Sequence, residues 1–260
     1  MDAVNCTGSV ILPELLEKLG CKVYTLNCNS TGEFSRGAEP LPENLDALCR
    51  TVIEKGADLG FATDPDGDRL AVVNDKGQPL GEEFTLPFCM DGFYTESNTT
   101  SPVVVNLSTS MLNEWVCQKH GVQIQRSKVG EINVVEKMKE VDSEIGGEGN
   151  GGVIYADSHY GRDAIVAAAL FLNRLSMENL SLTKVRSTFP DYRMIKDKIN
   201  IAGLDIPDVI KRIKDNYHLV KSNELDGLKL IWNDKWIHIR PSNTEPILRI
   251  YGEAEDEHLL

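Results

Sequence analysis

No stretch of the 260 residues is long and apolar enough to span a bilayer: the longest strongly apolar run, residues 164–172, is nine residues, against the ~20 that a spanning helix needs. Residues 1–20 lack a basic start and are interrupted by Pro13, Glu14 and Glu17, so they do not read as a secretory signal. The six cysteines form no Cys-x-x-Cys pair, and the five histidines show no paired metal spacing. These absences lead to the expectation of reduced, mostly buried thiols in a cytoplasmic protein. Basic charge is also scarce. With 27 Lys+Arg against 40 Asp+Glu the formal net charge is −13, which argues against nucleic acid or an anionic membrane as the main partner, since both would be repelled at long range. A local cluster of Arg and Lys can still hold a phosphorylated small molecule. What is present is ordinary for a globular chain: 41% hydrophobic and 26% charged residues are enough to bury cores, and the length favours two or three domains.

The first hundred residues alternate helix and strand signals. Apolar spacing predicts helices over residues 10–19 and 42–55, each stopped by a glycine, Gly20 and Gly56. Residues 22–27 alternate as a strand, and short apolar runs at 59–62 and 70–73 read as buried strands. Such alternation implies a mainly parallel sheet covered by helices. The polar stretch 96–102 has the composition of a linker. After it the pattern restarts, and residues 115–124 echo residues 15–23, so two related α/β units in tandem are expected. Beyond a second break near 176–193 the pattern changes to five short strand signals with one helix at 207–214, which describes an α+β module with an antiparallel sheet. The expected division is 1–98, 99–178 and 190–260.

Three segments carry chemistry. Asp64, Asp66 and Asp68 lie on alternate positions after a buried strand, a spacing that can aim three carboxylates at one point. Negative groups that close need a cation or protons, and hard oxygen donors suit Mg²⁺ or Ca²⁺. An EF-hand fits poorly, because its sixth position is Arg69 and its twelfth Asp75. The plainer alternative is an acidic surface turn. Arg69 beside the ion suits a phosphoryl oxygen, or a simple salt bridge. Residues 146–152 contain five glycines around Glu148 and Asn150; a tight turn there presents a carboxylate and an amide suited to vicinal sugar hydroxyls, unless it is only a hairpin loop. Arg240, Pro241, Ser242, Asn243, Thr244, Glu245 and Pro246 join two strands, with Arg249 following. That collection of donors matches a phosphate, or forms a merely polar connection. Lys128, just before a helix, is an exposed helix-start residue or a ligand to phosphate or hydroxyl.

Taken together and in this order, Asp64-Pro65-Asp66-Gly67-Asp68-Arg69, Gly147-Glu148-Gly149-Asn150-Gly151-Gly152 and Arg240-Pro241-Ser242-Asn243-Thr244-Glu245-Pro246 resemble the metal, sugar-specificity and phosphate loops of the α-D-phosphohexomutase superfamily. The form of the middle loop is similar to an archaeal and Bacteroidetes-type branch. The resemblance implies a cytoplasmic enzyme that moves phosphate between C1 and C6 of a hexose phosphate (glucose, mannose or glucosamine) through a phosphoserine and a bisphosphate intermediate. It implies Mg²⁺ on Asp64, Asp66 and Asp68, a phosphoryl contact from Arg69, and substrate contacts from Lys128, Glu148, Asn150, Arg240, Ser242, Asn243, Thr244 and Arg249. Where many relatives carry His after Lys-x-Gly this chain has Glu131, so no acid–base role carries over to that position. Family members have four domains, with the catalytic serine in the first, in a Thr-x-Ser-His-Asn-Pro-like loop. Ser158-His159-Tyr160 has the wrong neighbours for it. The expectation is therefore a piece covering domains two to four, beginning inside a strand and ending before a final helix, and inactive by itself. The alternative is a Mg²⁺-dependent sugar-phosphate-binding module.

Overall fold

The alternation of side chains along buried strands sets the architecture. The structure, a computed structural model, describes all residues except Glu178, Ala202, Asn243, Thr244, Glu257, Leu259 and Leu260. Helices α1 (Gly8–Lys18) and α2 (Asp46–Lys55) precede the antiparallel pair β1 (Leu59–Thr63) and β2 (Leu70–Asn74). Leu70 and Val72 of β2 face one cluster, with Leu12, Leu16 and Phe61, while Ala71 and Val73 face another, with Leu48 and Val52 of α2. The hairpin is thus covered on both faces.

Helix α3 (Thr85–Glu96) leads into β3 (Val103–Asn106), α4 (Leu112–His120), β4 (Ile124–Ser127), α5 (Glu131–Val141), β5 (Ile145–Gly147), β6 (Val153–Tyr155), β7 (His159–Arg162) and α6 (Ala164–Ser176). The sheet order is β4-β3-β5-β6-β7, with β3 parallel to β4 and β5 and the remainder antiparallel. Asp163 caps α6, accepting from the N–H groups of Ile165 (2.7 Å) and Val166 (3.1 Å). After α7 (Leu182–Arg186) comes an all-antiparallel sheet, order β8-β12-β11-β10-β9, built from β8 (Arg193–Asn200), α8 (Ile206–Asn216), β9 (Lys221–Asn223), β10 (Leu228–Ile231), β11 (Lys235–Pro241) and β12 (Ile247–Ala254). The fold class is the expected one, α/β units followed by an α+β unit with an antiparallel sheet, but the first unit's sheet is the antiparallel pair β1 and β2 rather than a mainly parallel one.

Several expectations are corrected. Residues 22–27 form no regular strand; Leu26 makes an isolated parallel bridge with Asp2, and Tyr24 and Asn27 accept backbone hydrogen bonds from Met1 and Asn5. Tyr217 follows α8, and β9 begins at Lys221. Arg162 ends β7. Helix α3 carries no sequence signal of its own, because nine of its twelve residues are buried and no polar stripe marks its period. It packs between the first two units, whose apolar residues merge into one cluster running from Leu12 through Phe88 to Phe189. All six cysteines are free thiols, but only Cys89 and Cys117 are fully buried. Among the described residues no helix is long and apolar enough to cross a membrane.

Candidate functional site

The turn between β1 and β2 folds back on its own carboxylates. Asp64 is buried, and its Oδ1 accepts from the N–H groups of Asp68 (3.0 Å) and Arg69 (3.1 Å). Gly67 sits at φ 76°, a left-handed conformation that lets the chain reverse. One ligand oxygen from each of Asp64, Asp66 and Asp68 then lies within 4.8 Å of the others. Burial first, and then the neighbouring Asp68 carboxylate, push Asp64 up to about 7. Asp68 Oδ1 is buried and without a hydrogen-bond partner among the described residues. Arg69 stands 3.5 Å from Asp64 and 3.6 Å from Asp68, and donates to Glu39 at 2.7 Å. The loop holds more negative charge than its arginines neutralise. An all-oxygen donor set with an orphaned carboxylate oxygen fits a hard divalent cation such as Mg²⁺.

This turn docks on the glycine-rich loop between β5 and β6. Leu70 N–H donates to Gly151 O (3.0 Å), and Ala164 N–H donates to Gly67 O (3.0 Å). Gly151 has φ 85°, and a Cβ there would lie 2.5 Å from Leu70 O, so only glycine fits both the turn and the close approach. Glu148 is not held out at the loop's apex. It is buried, and its carboxylate accepts from Asn106 Nδ2 (2.9 Å), Gly130 N–H (3.0 Å) and Arg162 (2.7 Å). Asn150 accepts from Gly152 N–H at 3.1 Å.

Arg240 and Arg249 are direct partners in the register of β11 and β12. Like charges opposite each other on a sheet repel. The Nε of each is buried and without a hydrogen-bond partner among the described residues; Arg249 also donates to Tyr251 Oη (3.4 Å) and lies 3.5 Å from Glu245. Both arginines line a cleft of about 450 Å³ that is also lined by Arg69, Glu148, Asn150 and Arg162. The structure therefore brings one residue beside the three aspartates, both polar residues of the glycine loop and two arginines of the C-terminal sheet to a single cavity. Lys128 is exposed, next to Val129 and Gly130 of the cleft wall. Ser242 closes the turn after β11 through its N–H to Ile247 O (2.9 Å). Asn243 and Thr244 lie outside the described residues.

Sequence reasoning missed Arg162, Lys196, Asn106 and Ser108, all of which line the cleft. Asn106 could have been found, because it ends a parallel strand, where ligand-facing residues collect. Lys196, on β8, pairs with Glu82 (2.6 Å) and Glu83 (2.8 Å) and so ties the C-terminal sheet to the cleft. Burial lowers its affinity for a proton, but Glu83 and Glu82 outweigh that and hold its pKa above the ordinary value.

A second tie between units is Ser108 with His238. The His238 Nε2 faces Asp226 O at 2.5 Å, so Nε2 carries the proton and Nδ1 accepts from Ser108 Oγ at 2.8 Å. Burial first, then the positive charges of Lys229 and Arg240, depress His238 from 6.5 to about 4 against the opposing pull of Asp226. Below pH 6.5 the unfolded chain binds this proton and the folded chain does not. Stability thus falls as pH drops from about 6.5 to about 4, by up to about 3 kcal/mol from this group. Urea unfolding at pH 7 and pH 4.5 checks this: the loss is expected to be clearly smaller in His238→Gln, and an equal loss in both proteins would contradict it.

Comparison with known proteins accords with this arrangement. Sequence models of the phosphoglucomutase/phosphomannomutase family match successively: alpha/beta/alpha domain II over residues 1–77, alpha/beta/alpha domain III over residues 85–192 and the C-terminal domain over residues 196–260. A phosphoglucomutase/phosphomannomutase of Thermococcus kodakarensis is 34% identical over 99% of this chain and 57% of its own length. A phosphoglucosamine/phosphogalactosamine mutase of Sulfurisphaera tokodaii is 32% identical over 100% of this chain and 58% of its own. The chain thus spans little more than half the length of these relatives. In fold it is similar to the crystal structure of a phosphoglucomutase/phosphomannomutase family protein from Burkholderia thailandensis, with a TM-score of 0.85 at 24% identity, covering 100% of this chain and 56% of that one. Three successive domains of one family account for almost every residue, and the chain belongs to the phosphoglucomutase/phosphomannomutase family of hexose-phosphate mutases.

Proposed function

We propose that this chain supplies the metal, sugar and distal-phosphate sites of a hexose-phosphate mutase that transfers phosphate between C1 and C6 through a phosphoserine and a sugar bisphosphate. Asp64, Asp66 and Asp68 would hold Mg²⁺. When bound, the ion supplies positive charge that neutralises phosphoryl oxygens. Arg69, oriented by the same carboxylates, contributes a planar donor pair to the transferring group. Arg240 and Arg249, with Ser242, Asn243 and Thr244, hold the phosphate that is not being transferred. Glu148 fixes Arg162 and the Gly130 N–H around the sugar, and Asn150 and Lys128 contribute polar contacts at its edge.

The observation that carries this reading is the Arg240–Arg249 pair. Two guanidinium groups in direct cross-strand register, each with an orphaned Nε and both lining the cleft, repel each other and would gain from an anion between them. The 260 residues contain no segment like the serine loop that the family resemblance implies, so the chain by itself binds without a covalent relay.

Calorimetry with the 6-phosphates of glucose, mannose and glucosamine tests the site, since the three sugars differ only at C2. At least one is expected to bind, and Arg240→Ala or Arg249→Ala is expected to weaken it by about tenfold or more, the worth of a charge-assisted bond. Unchanged affinity in both variants would overturn the phosphate assignment. A coupled glucose-1-phosphate assay on the chain is expected to read background, and turnover above it would overturn the binding-only role.

A further inference from the structure

Arg162 meets three carboxylates with one guanidinium. It donates to Asp68 of the metal loop through Nη2 and to Glu148 of the glycine loop through Nη1 at 2.7 Å, and its Nε lies 3.7 Å from Glu131. Its own N–H donates to Glu131 at 2.8 Å, which anchors the backbone. The side chain is 13% exposed, and a Cβ on Gly152 would collide with its Cδ, so the glycine loop is shaped around its stem. Arg162 lines the cleft and follows directly from the end of β7 into the Asp163 cap of α6. No other described residue forms an ion pair with both Asp68 and Glu148.

We propose that Arg162 is a positioning residue that couples the metal loop to the sugar loop, so that a divalent cation and a hexose phosphate bind cooperatively; this rests on the function proposed above. Asp68 holds Arg162 through Oδ2 and leaves Oδ1 without a hydrogen bond, so a guanidinium and a divalent ion would share the charge of one carboxylate. With an ion on Oδ1, Asp68 neutralises less of the guanidinium's charge, and more of that charge is left for Glu148 and the cleft, where an anionic ligand benefits. Linkage makes the effect reciprocal.

Two kinds of titration test the coupling: Mn²⁺ followed by electron paramagnetic resonance, and glucose 6-phosphate followed by calorimetry, each with and without the other ligand. In the unaltered chain each ligand is expected to tighten the other about tenfold, within the usual range of couplings between sites. In Arg162→Met, Mn²⁺ alone is expected to bind more tightly, by about tenfold, because a positive charge competing for Asp68 is gone; the mutual tightening falls to near unity. Arg162→Lys retains the charge but not the fork, and is expected to keep ordinary Mn²⁺ affinity while losing most of the coupling. A merely structural arginine would weaken both ligands when replaced. Weaker or unchanged Mn²⁺ binding in a folded Arg162→Met protein would overturn the proposal, as would full coupling in Arg162→Lys. Independent binding of the two ligands to the unaltered chain would overturn the proposal alone, whereas failure of the chain to bind Mn²⁺ or any hexose phosphate would overturn the function on which it rests.

Discussion

Replacing Phe88 with alanine is expected to remove about 3–5 kcal/mol of stability, the loss typical of deleting a fully buried aromatic ring. Phe88 is 0% exposed. Its ring centroid lies 4.1 Å from Phe171 on α6, 5.4 Å from Phe84 and 5.9 Å from Phe189, so one side chain joins helix α3, helix α6 and the segment after α7. The guanidinium of Arg174 sits 5.6 Å from the ring, and Arg174 in turn pairs with the buried Asp91 at 2.6 Å. A cavity here therefore loosens packing and a buried ion pair together. Phe88→Leu, which keeps most of the volume, is expected to cost less than half as much. Urea unfolding checks both, and a loss below about 1 kcal/mol for the alanine variant would mean that the aromatic cluster closes over the gap.

The cluster is also where sequence reading falls short. Helix α3 was invisible because a segment buried on nearly all sides has no amphipathic period, and Pro87 and Gly92 further disguise it. Residues 22–27 alternate like a strand, and Tyr24, Leu26 and Asn27 accept hydrogen bonds from Met1, Ala3 and Asn5, yet the contact amounts to one isolated bridge at Leu26 rather than a strand. Local alternation reports which side chains are buried, not how regularly a neighbouring backbone pairs. The turns fared better because their chemistry is local. Three aspartates at alternate positions, and glycines that admit left-handed conformations at Gly67 and Gly151, converge through the chain's own geometry. Arg240 and Arg249 were legible as donors, while their direct register across β11 and β12 was not, since pairing depends on where the intervening turn reverses. Glu148 was legible as a polar residue in a glycine loop, but its burial is a long-range effect of Asn106, Gly130 and Arg162. Arg162 and Lys196 gave no signal for a related reason. A lone basic residue on a strand gains meaning only once carboxylates from distant segments, Asp68 and Glu148 for one and Glu82 and Glu83 for the other, are placed around it.

The largest functional effect is expected at the aspartates themselves. Asp64 is held by two backbone N–H groups and is 4% exposed, Asp68 offers a buried oxygen without a hydrogen bond, and Asp66 faces outward, so the three differ in setting but converge within 4.8 Å. Each carboxylate removed takes away both a hard ligand and a unit of charge. Divalent affinity is expected to fall about 10–100-fold for each of Asp64→Asn, Asp66→Asn and Asp68→Asn, and saturable binding to vanish when all three are changed. On the proposed function, the glycine-rich loop, the cleft arginines and Arg162 would all depend on an ion held by these three carboxylates. Mn²⁺ titration of the unaltered chain beside the triple variant is therefore the most direct measurement. The account predicts one saturable site in the first and none in the second; equal binding by both, or no saturable site in the unaltered chain, would contradict it.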